Sequence, residues 1–239
     1  MNLVIDIGNS FIKVAIFKEG ELVFHMREKK IRVADIKKIH QKYPFKKSIL
    51  SSVRIANPYF VRHLIANYKL IELDHKTKVP IKSKYGTPKT LGLDRLAAVI
   101  GAAKLYPGKN ACVIDIGTCM TYDYIDADKV YWGGNIAPGV ELRLRAMDEF
   151  TSALPTVKRK WNPEILGLST KAAMQNGAVW GVKMEIERFI KTLTNKKGKM
   201  VVILTGGDAK YFGELVDSKI FVDSNLLLTG LNDILEYNS

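Results

Sequence analysis

Residues 4–8 read Val-Ile-Asp-Ile-Gly, and residues 113–117 read the same five amino acids again. Each copy is a short apolar run that ends in Asp and Gly, and a small polar residue follows, Asn9 in one copy and Thr118 in the other. Short runs rich in β-branched residues and bounded by turn residues are typical of buried strands. Each copy therefore predicts a buried strand that enters a tight turn, with a second strand behind it.

A strand-turn-strand of this kind places a carboxylate and glycine amides at one point, which suits a phosphate with its metal ion. Gly8 and Gly117 let the backbone approach phosphate oxygens closely. Asp6 is itself anionic, so its plausible partner is Mg²⁺, bound directly or through water, and Asp115 could hold another cation. Side chains that could add hydrogen bonds or charge to the phosphate are Asn9, Ser10, Lys13 and Thr118. The alternative is that two ordinary Asp-Gly turns arose independently.

Two copies about half a chain apart predict duplicated α/β lobes that close on one nucleotide, with boundaries at residues 1–105 and 106–239. Alternating and helical periodicities predict the elements. Strands are expected at 3–7, 11–17, 21–26, 48–53, 69–73, 111–116, 120–125, 129–132, 201–204 and 220–222. Helices are expected at 33–42, 58–67, 93–105, 138–150, 170–194, 209–216 and 225–237, the fourth opened by Pro138.

Two segments are predicted to be irregular. The loop 74–92 is rich in Lys, Thr, Gly and Pro, and a loop this long is more often functional than idle. The looser segment 151–168 holds Pro155, Trp161 and Pro163.

The composition is that of an ordinary globular protein, with 47% hydrophobic residues among 239. No apolar run reaches about 18 residues and no basic leader opens the chain, so neither a membrane span nor a signal peptide is expected. Two cysteines are too few for a disulfide framework, and a reducing cytoplasm is the simplest expectation. The net charge of +13 admits nucleic acid, membrane surfaces or anionic small molecules as partners. Because the basic residues are spread out and do not alternate with aromatic ones, we interpret them mainly as solvated faces.

Two further motifs could carry chemistry. Gly206 and Gly207 follow a predicted buried strand, and a glycine pair there could let an adenine ring lie against the backbone, although it could also be an ordinary turn. Asp94 opens an Ala-rich helix, whose N-terminus stabilises a carboxylate. It could accept a proton from a substrate hydroxyl, and Arg95 could form a fork with a substrate carboxylate. The alternative is a helix cap beside a surface arginine.

Taken together, these motifs resemble type III pantothenate kinase, a family of the acetate and sugar kinase/Hsp70/actin superfamily. The matching residues, in chain order, are Asp6-Ile7-Gly8-Asn9-Ser10, Tyr85 with Pro88, Gly92-Leu93-Asp94-Arg95, Asp115-Ile116-Gly117-Thr118, Gly133-Gly134 with Pro138-Gly139, Thr170, and Thr205-Gly206-Gly207-Asp208. The resemblance covers nearly the whole chain, and the Gly-x-Asp-Arg segment with its upstream Tyr is its specific part.

The resemblance implies duplicated ribonuclease H-like, or actin-like ATPase, lobes with a nucleotide cleft between them. It implies ATP-dependent phosphorylation of pantothenate, the first step of coenzyme A synthesis, with Asp94 as general base. The implied ATP-binding residues are Asp6, Ile7, Gly8, Asn9, Ser10, Phe11, Ile12, Lys13, Thr118, Gly206 and Gly207. The implied pantothenate-binding residues are Tyr85, Gly92, Leu93, Asp94, Arg95 and Thr170.

The implied cofactors are Mg²⁺ with ATP, held at Asp6, and a monovalent cation, K⁺ or NH₄⁺, at Asp115. The family is cytoplasmic and homodimeric, and its equivalent of Thr170 contacts the substrate of the partner subunit. Neither a membrane nor a nucleic acid is implied as a partner. Leu93 and Cys119 depart slightly from the family pattern, and the charge of +13 is not explained by it.

Two alternatives stay open at this point. One is a regulatory protein like the Bvg accessory factors, binding nucleotide or nucleic acid; the intact Asp6, Asp94 and Asp115 argue against a purely non-catalytic role. The other is another small-molecule kinase of the superfamily, acting on a sugar or acetate, and the short chain argues against the larger sugar kinases.

Overall fold

The computed structural model describes residues 1–161 and 164–239, so the predicted loop residue Pro163 lies outside the described part. Internal contacts divide the chain into two compact units. Unit 1 comprises Met1–Pro107, Lys129–Tyr131 and Asn225–Ser239, and unit 2 comprises Gly108–Asp128 and Trp132–Ser224. The closing helix therefore belongs to unit 1 by its contacts. The division into lobes 1–105 and 106–239, which was drawn along the sequence, stays a prediction.

The regular elements follow one another in a mixed α/β order. The strands are β1 Asn2–Ile7, β2 Ile12–Lys18, β3 Glu21–Glu28, β4 Lys47–Ser52, β5 Leu70–Glu72, β6 Lys82–Ser83, β7 Ala111–Ile116, β8 Cys119–Ile125, β9 Val130–Pro138, β10 Val201–Thr205 and β11 Phe221–Val222. The helices are α1 Val33–Lys42, α2 Pro58–Tyr68, α3 Leu93–Leu105, α4 Val140–Glu149, α5 Thr170–Lys197, α6 Ala209–Leu215 and α7 Leu226–Tyr237, with a 3₁₀ turn at Pro88–Thr90.

In unit 1 the first five strands form one sheet in the order β3-β2-β1-β4-β5. The β1–β2 and β2–β3 pairs are antiparallel, whereas β1–β4 and β4–β5 are parallel. Because side chains alternate along a strand, Leu3, Ile5 and Ile7 of β1 share one face, where they pack into a core with Ile36 and Leu64 of the helices. The helix expected at 58–67 is confirmed as α2, and the Asn57 side chain caps it by accepting hydrogen bonds from the Tyr59 and Phe60 amides.

Helices α3 and α7 of unit 1 cross in close contact, and glycines make this possible. A Cβ on Gly101 would lie 2.2 Å from the carbonyl oxygen of Leu226, and one on Gly230 would lie 1.8 Å from that of Ala97. Real side-chain carbons do not approach a backbone oxygen so closely. The small residues of α3 and α7 therefore let the two helix backbones pack directly against each other in unit 1.

In unit 2 the strands run in the order β11-β10-β7-β8-β9. Strand β7 is parallel to β10 and antiparallel to β8. The second Val-Ile-Asp-Ile-Gly copy is therefore a strand with a second strand directly behind its turn, as predicted. Tyr122, Val182 and Phe212 lie in its apolar core, which is formed by residues of the sheet and the helices packed against it. Within residues 1–161 and 164–239, no helix is long and apolar enough to span a membrane.

The prediction that Pro138 opens a helix is wrong. Strand β9 continues through Pro138, and helix α4 begins at Val140 with Gly139 as its N-cap. The strand predicted at 129–132 continues through the Gly-Gly pair at 133–134, and Gly134 lies against the neighbouring strand, where a Cβ would be 1.6 Å from the carbonyl oxygen of Tyr122. The glycine therefore permits close strand packing instead of ending the strand.

Candidate functional site

The turn after β1 is the predicted phosphate turn of unit 1. Asp6 lies opposite Lys13 of β2 in the antiparallel register, and the Gly8 amide donates to the Phe11 carbonyl oxygen at 3.0 Å. Asn9 and Ser10 are exposed at the tip of this hairpin. The turn thus presents polar groups to solvent from a rigid two-strand base, as binding of a phosphate requires.

Asp6 is only 7% exposed, and its surroundings suit a hard cation. Ser51 of β4 is its register partner in the parallel pair, so both side chains lie on the same face of the sheet. The Ser51 hydroxyl is buried and has no hydrogen-bond partner within the described residues. Carboxylate and hydroxyl oxygens such as those of Asp6 and Ser51 are the kind of ligand that Mg²⁺ binds. The described residues hold no group of three or more His, Cys, Asp or Glu side chains that could bind a metal ion.

Asp94 occupies the first turn of α3 behind Gly92, the N-cap residue. Its Oδ1 accepts a hydrogen bond from the Arg95 amide at 2.8 Å. A Cβ on Gly92 would lie 2.5 Å from that same oxygen, so the glycine leaves the space that the carboxylate occupies. The partial positive charge of the helix N-terminus favours an ionised carboxylate here.

Tyr85 and Arg95 are brought together from the long loop and from α3. The guanidinium carbon of Arg95 lies 5.7 Å from the centre of the Tyr85 ring, and Arg95 is only 5% exposed. The Tyr85 ring also stacks on Tyr131 with centroids 6.1 Å apart, and the Lys84 amide donates to the Tyr131 carbonyl oxygen at 2.8 Å. The predicted loop is therefore anchored, and three predicted site residues, Tyr85, Asp94 and Arg95, meet at one end of α3.

In unit 2 the second aspartate turn meets the glycine pair. Thr205 pairs with Asp115 in the parallel register of β10 and β7. Gly206 has a φ of +95°, and a Cβ there would lie 2.3 Å from Asp115 Oδ1 and 2.5 Å from the Ile116 carbonyl oxygen. The Asp208 amide donates to that Ile116 carbonyl oxygen at 3.0 Å. The turn is therefore folded directly onto the Asp115 carboxylate.

The Thr118 turn beside it is fixed by backbone hydrogen bonds. The Gly117 amide donates to the Cys119 carbonyl oxygen, and the Gly139 amide donates to that of Thr118, both at 3.0 Å. Thr118 and Gly207 are exposed. Unit 2 thus gathers Asp115, Thr118 and the glycine pair at the carboxyl ends of two parallel strands, where ligands of α/β folds usually bind.

Thr170 is the first residue of α5 and is exposed. Its neighbour Ser169 caps the helix, and the Ser169 hydroxyl accepts a hydrogen bond from the Ala172 amide at 3.2 Å. The cap leaves the Thr170 side chain available for another molecule.

Several polar contacts in unit 2 were not predicted from the sequence. Arg159 binds Asp208 with 2.5 Å between Nη1 and Oδ1, although its basic run 158–160 was interpreted as a solvated face. Glu185 accepts a hydrogen bond from the Tyr122 hydroxyl at 2.9 Å and also pairs with Arg143. Burial raises the pKa of Tyr122, and the Glu185 carboxylate raises it further, so the phenol stays a proton donor. No local signal identifies these partners, because they lie 42 to 63 residues apart in the chain.

The comparisons with known proteins agree with the motifs. A family model described as type III pantothenate kinase matches residues 2–192. Proteins named type III pantothenate kinase from Phocaeicola vulgatus and Christiangramia forsetii are 45% and 42% identical to this chain over 240 residues, covering 100% of it and 99% of each relative.

Solved structures of lower identity show the fold. A Campylobacter jejuni protein described as a Baf family transcriptional activator has a TM-score of 0.60 at 22% identity, covering 99% of this chain and 98% of that one. A Sinorhizobium meliloti protein described as a 2-dehydro-3-deoxygalactonokinase has a TM-score of 0.58 at 11% identity, covering 100% of this chain and 99% of that one. The predicted actin-like ATPase and sugar kinase fold class is confirmed. The full-length sequence relatives and the family model show more: this chain belongs to the type III pantothenate kinase family.

Proposed function

We propose that this protein transfers the γ-phosphate of ATP to the primary hydroxyl of pantothenate, which yields ADP and 4′-phosphopantothenate, in the first step of coenzyme A synthesis. The observation that carries the proposal is the arrangement at the start of α3, where a carboxylate, a buried guanidinium and a tyrosine ring converge. These are the residues that the family resemblance assigns to the phosphate acceptor.

Asp94 is the general base of the proposal. Its Oδ1 is fixed by the Arg95 amide, and Oδ2 has no hydrogen-bond partner in the part of the chain that the structure describes. Oδ2 would accept the hydroxyl proton as the oxygen attacks the γ-phosphorus. Holding one carboxylate oxygen in place orients the other, so the base needs no reorganisation during the reaction.

Arg95 and Tyr85 would hold the acceptor. A guanidinium can bind the carboxylate of pantothenate through two parallel hydrogen bonds, and burial strengthens such a charge-assisted pair. The Tyr85 ring lies beside the Arg95 guanidinium and is stacked on Tyr131, so it forms a fixed wall for the substrate. Gly92 and Leu93 complete the proposed acceptor segment.

For ATP, we assign the phosphates to the residues from Asp6 to Lys13 in unit 1, and further nucleotide contacts to Thr118, Gly206 and Gly207 in unit 2. Asp6, directly or through water, would hold the Mg²⁺ that neutralises charge on the phosphate oxygens. Asp115 would hold the monovalent cation, K⁺ or NH₄⁺.

A homodimer is the proposed assembly, with Thr170 near the substrate site of the partner subunit. The residues just before α5 support it. Ile165, Leu166 and Leu168 have exposed fractions of 56%, 77% and 99%. Three large apolar side chains exposed within four positions are typical of a surface that another protein covers. We place the enzyme in the cytoplasm, as the family resemblance implies.

The regulatory alternative gains no support from the Baf-named structure, because a likeness at 22% identity shows the fold alone. The decisive experiment incubates purified protein with ATP, Mg²⁺, K⁺ and pantothenate and follows the product by mass spectrometry. Acetate and a panel of sugars serve as competing acceptors. Absence of phosphopantothenate would overturn the proposal.

The base assignment has a separate test in Asp94→Asn, which keeps the size and shape of the side chain. We expect kcat to fall by about 10²- to 10⁴-fold, the usual contribution of general base catalysis. Asp128→Asn is the matched control, since Asp128 is an exposed carboxylate on a turn of unit 2. Near-full kcat in Asp94→Asn would remove the base assignment and leave the kinase proposal standing.

A further inference from the structure

Unit 1 contains a cavity beside the proposed phosphate turn. Its volume is about 570 Å³, which lies within the range of small-molecule sites. Ile7, Ile12 and Phe60 are among its lining residues, and all three are buried. The cavity opens where β1 and β4 end, beside the first turns of α1 and α2.

This cavity lies on the opposite face of the sheet from the proposed metal site. Successive side chains of a strand point to opposite faces, so Ile7 and Asp6 of β1 face different ways. Ile7 packs with Ile12 and Phe60 in the core beneath α1 and α2, whereas Ser51 shares the face of Asp6. A molecule in the cavity would therefore not occupy the position of the ATP phosphates at Asp6.

The rim of the cavity is cationic. Lys29, Lys30, Arg32 and Arg54 all line it and all are exposed. Among the residues that the structure describes, no Asp or Glu lines the cavity, and none of these four side chains has a carboxylate partner in an ion pair. Four like charges around one opening repel each other, and an anion in the opening would relieve that repulsion. The dipole of α2, whose N-terminus borders the cavity, adds to the positive potential, whereas at α1 the Asp35 carboxylate accepts a hydrogen bond from the Arg32 amide and offsets the dipole.

The rim also carries exposed apolar groups. Ile55 is 97% exposed and Tyr59 is 68% exposed, and both line the opening. An inorganic anion would leave these groups and the apolar floor uncovered. A ligand with an apolar body and one anionic group would cover them and pair with the cations. The concave shape and apolar floor also favour a small molecule over the backbone of a nucleic acid, which binds positive surfaces without needing an apolar floor.

We infer that this cavity is a binding site for a small amphipathic anion, a phosphate- or carboxylate-bearing molecule with an apolar body. Ile7 and Ile12 lie on either side of the turn that begins with the Gly8–Phe11 hydrogen bond. A bound ligand would press on both ends of that turn and change its affinity for ATP. This second, regulatory part of the inference rests on the proposed function, whereas the binding site does not.

Binding is tested by isothermal titration calorimetry on the full chain with 1-naphthyl phosphate as the probe. Neutral 1-naphthol and inorganic phosphate are the two comparison ligands, which separate the apolar from the anionic contribution. We expect naphthyl phosphate to bind more tightly than either, with and without a saturating non-hydrolysable ATP analogue. If the saturating ATP analogue abolished all binding of naphthyl phosphate, the probe would lie in the nucleotide site and the inference would be overturned.

The cations are tested by the double variant Lys30→Ala/Arg54→Ala. Loss of two charged contacts predicts at least about tenfold weaker binding of naphthyl phosphate. The control is Lys37→Ala/Lys38→Ala, which removes the same charge from exposed positions of α1 outside the cavity, and we expect less than about twofold change, as for surface charges in general. Equal weakening in both variants would show a general charge effect and refute a specific site.

Ala34→Trp fills the cavity without removing a charge, because Ala34 is exposed at the second position of α1 and lines the opening. We expect naphthyl phosphate binding to be lost while the circular dichroism and melting temperature stay those of the wild type. Unchanged binding in this variant would refute the site.

A DNA duplex tests the other class of partner. If the protein bound the duplex but not naphthyl phosphate, and lost the duplex in Lys30→Ala/Arg54→Ala, the surface would be a nucleic-acid site instead. Failure of the kinase assay alone would not affect these measurements.

Discussion

Gly206→Ala tests the close contact between the glycine turn and the Asp115 strand in unit 2. Gly206 has a φ of +95°, a region that side-chain-bearing residues rarely adopt. The added methyl group would meet Asp115 Oδ1 at 2.3 Å and the Ile116 backbone at 2.5 and 2.7 Å. The carboxylate could rotate away, but the backbone of a central strand cannot. The turn would therefore have to lift off the end of β7.

The expected cost follows from two contributions. A non-glycine residue with positive φ costs about 1–2 kcal/mol, and overpacking against fixed atoms costs about 1–3 kcal/mol. Alanine restricts the unfolded chain and returns about 0.4–1 kcal/mol. The free energy of unfolding should thus fall by about 1–5 kcal/mol. For a protein of this size, each kcal/mol lowers the melting temperature by about 2–4 °C. A decrease of about 2–20 °C is expected.

The assay is scanning calorimetry of wild type, Gly206→Ala and the control Gly207→Ala. Among the described residues, and apart from its two chain neighbours, no atom lies within 4 Å of a Cβ on Gly207, and the φ of Gly207 lies outside the positive region. The melting temperature of Gly207→Ala should therefore change by less than about 2 °C. The KM for ATP should rise in Gly206→Ala, because the displaced turn carries a proposed nucleotide contact. A melting temperature within 1 °C of wild type for Gly206→Ala, or an equal loss in both variants, would refute the close-contact argument.

Asp115→Asn should abolish the dependence of activity on K⁺ and lower kcat at least about tenfold. The measurement is a titration of K⁺ at constant ionic strength. If Asp115→Asn kept the full wild-type response to K⁺, the cation would have to bind elsewhere. Iodoacetamide should add once per chain, at exposed Cys119 only, because Cys112 is fully buried and burial raises its pKa to about 12, so its thiolate is absent at neutral pH. Two adducts on the native protein by intact mass would contradict the buried thiol. Leu168→Asp should convert a dimer to a monomer in light scattering, since it places a charge in the proposed interface, whereas Ile55→Asp, equally exposed outside it, should not. An unchanged mass for Leu168→Asp would argue against that interface.

The sequence by itself determined the fold class and the family. The repeated Val-Ile-Asp-Ile-Gly strands, the helix cap at Asn57 and the length of α3 all follow from local preferences, which each segment expresses without help from distant residues. The helix that was predicted to begin at Pro138 shows the limit of such reasoning. The strand predicted at 129–132 instead runs as β9 through Gly133 and Gly134 to Pro138, and Gly134 packs against the β8 backbone.

Only the tertiary structure decided which distant groups meet. It packs the Gly206 turn onto Asp115, pairs Arg159 with Asp208, and brings Tyr85 from the long loop to Arg95. It also surrounds one apolar cavity with basic residues from two loops, which the sequence shows only as dispersed charge. The physical reason is that periodicity and propensity report on neighbours within a few residues, whereas burial, ion pairs and cavities depend on atoms that packing alone brings into contact.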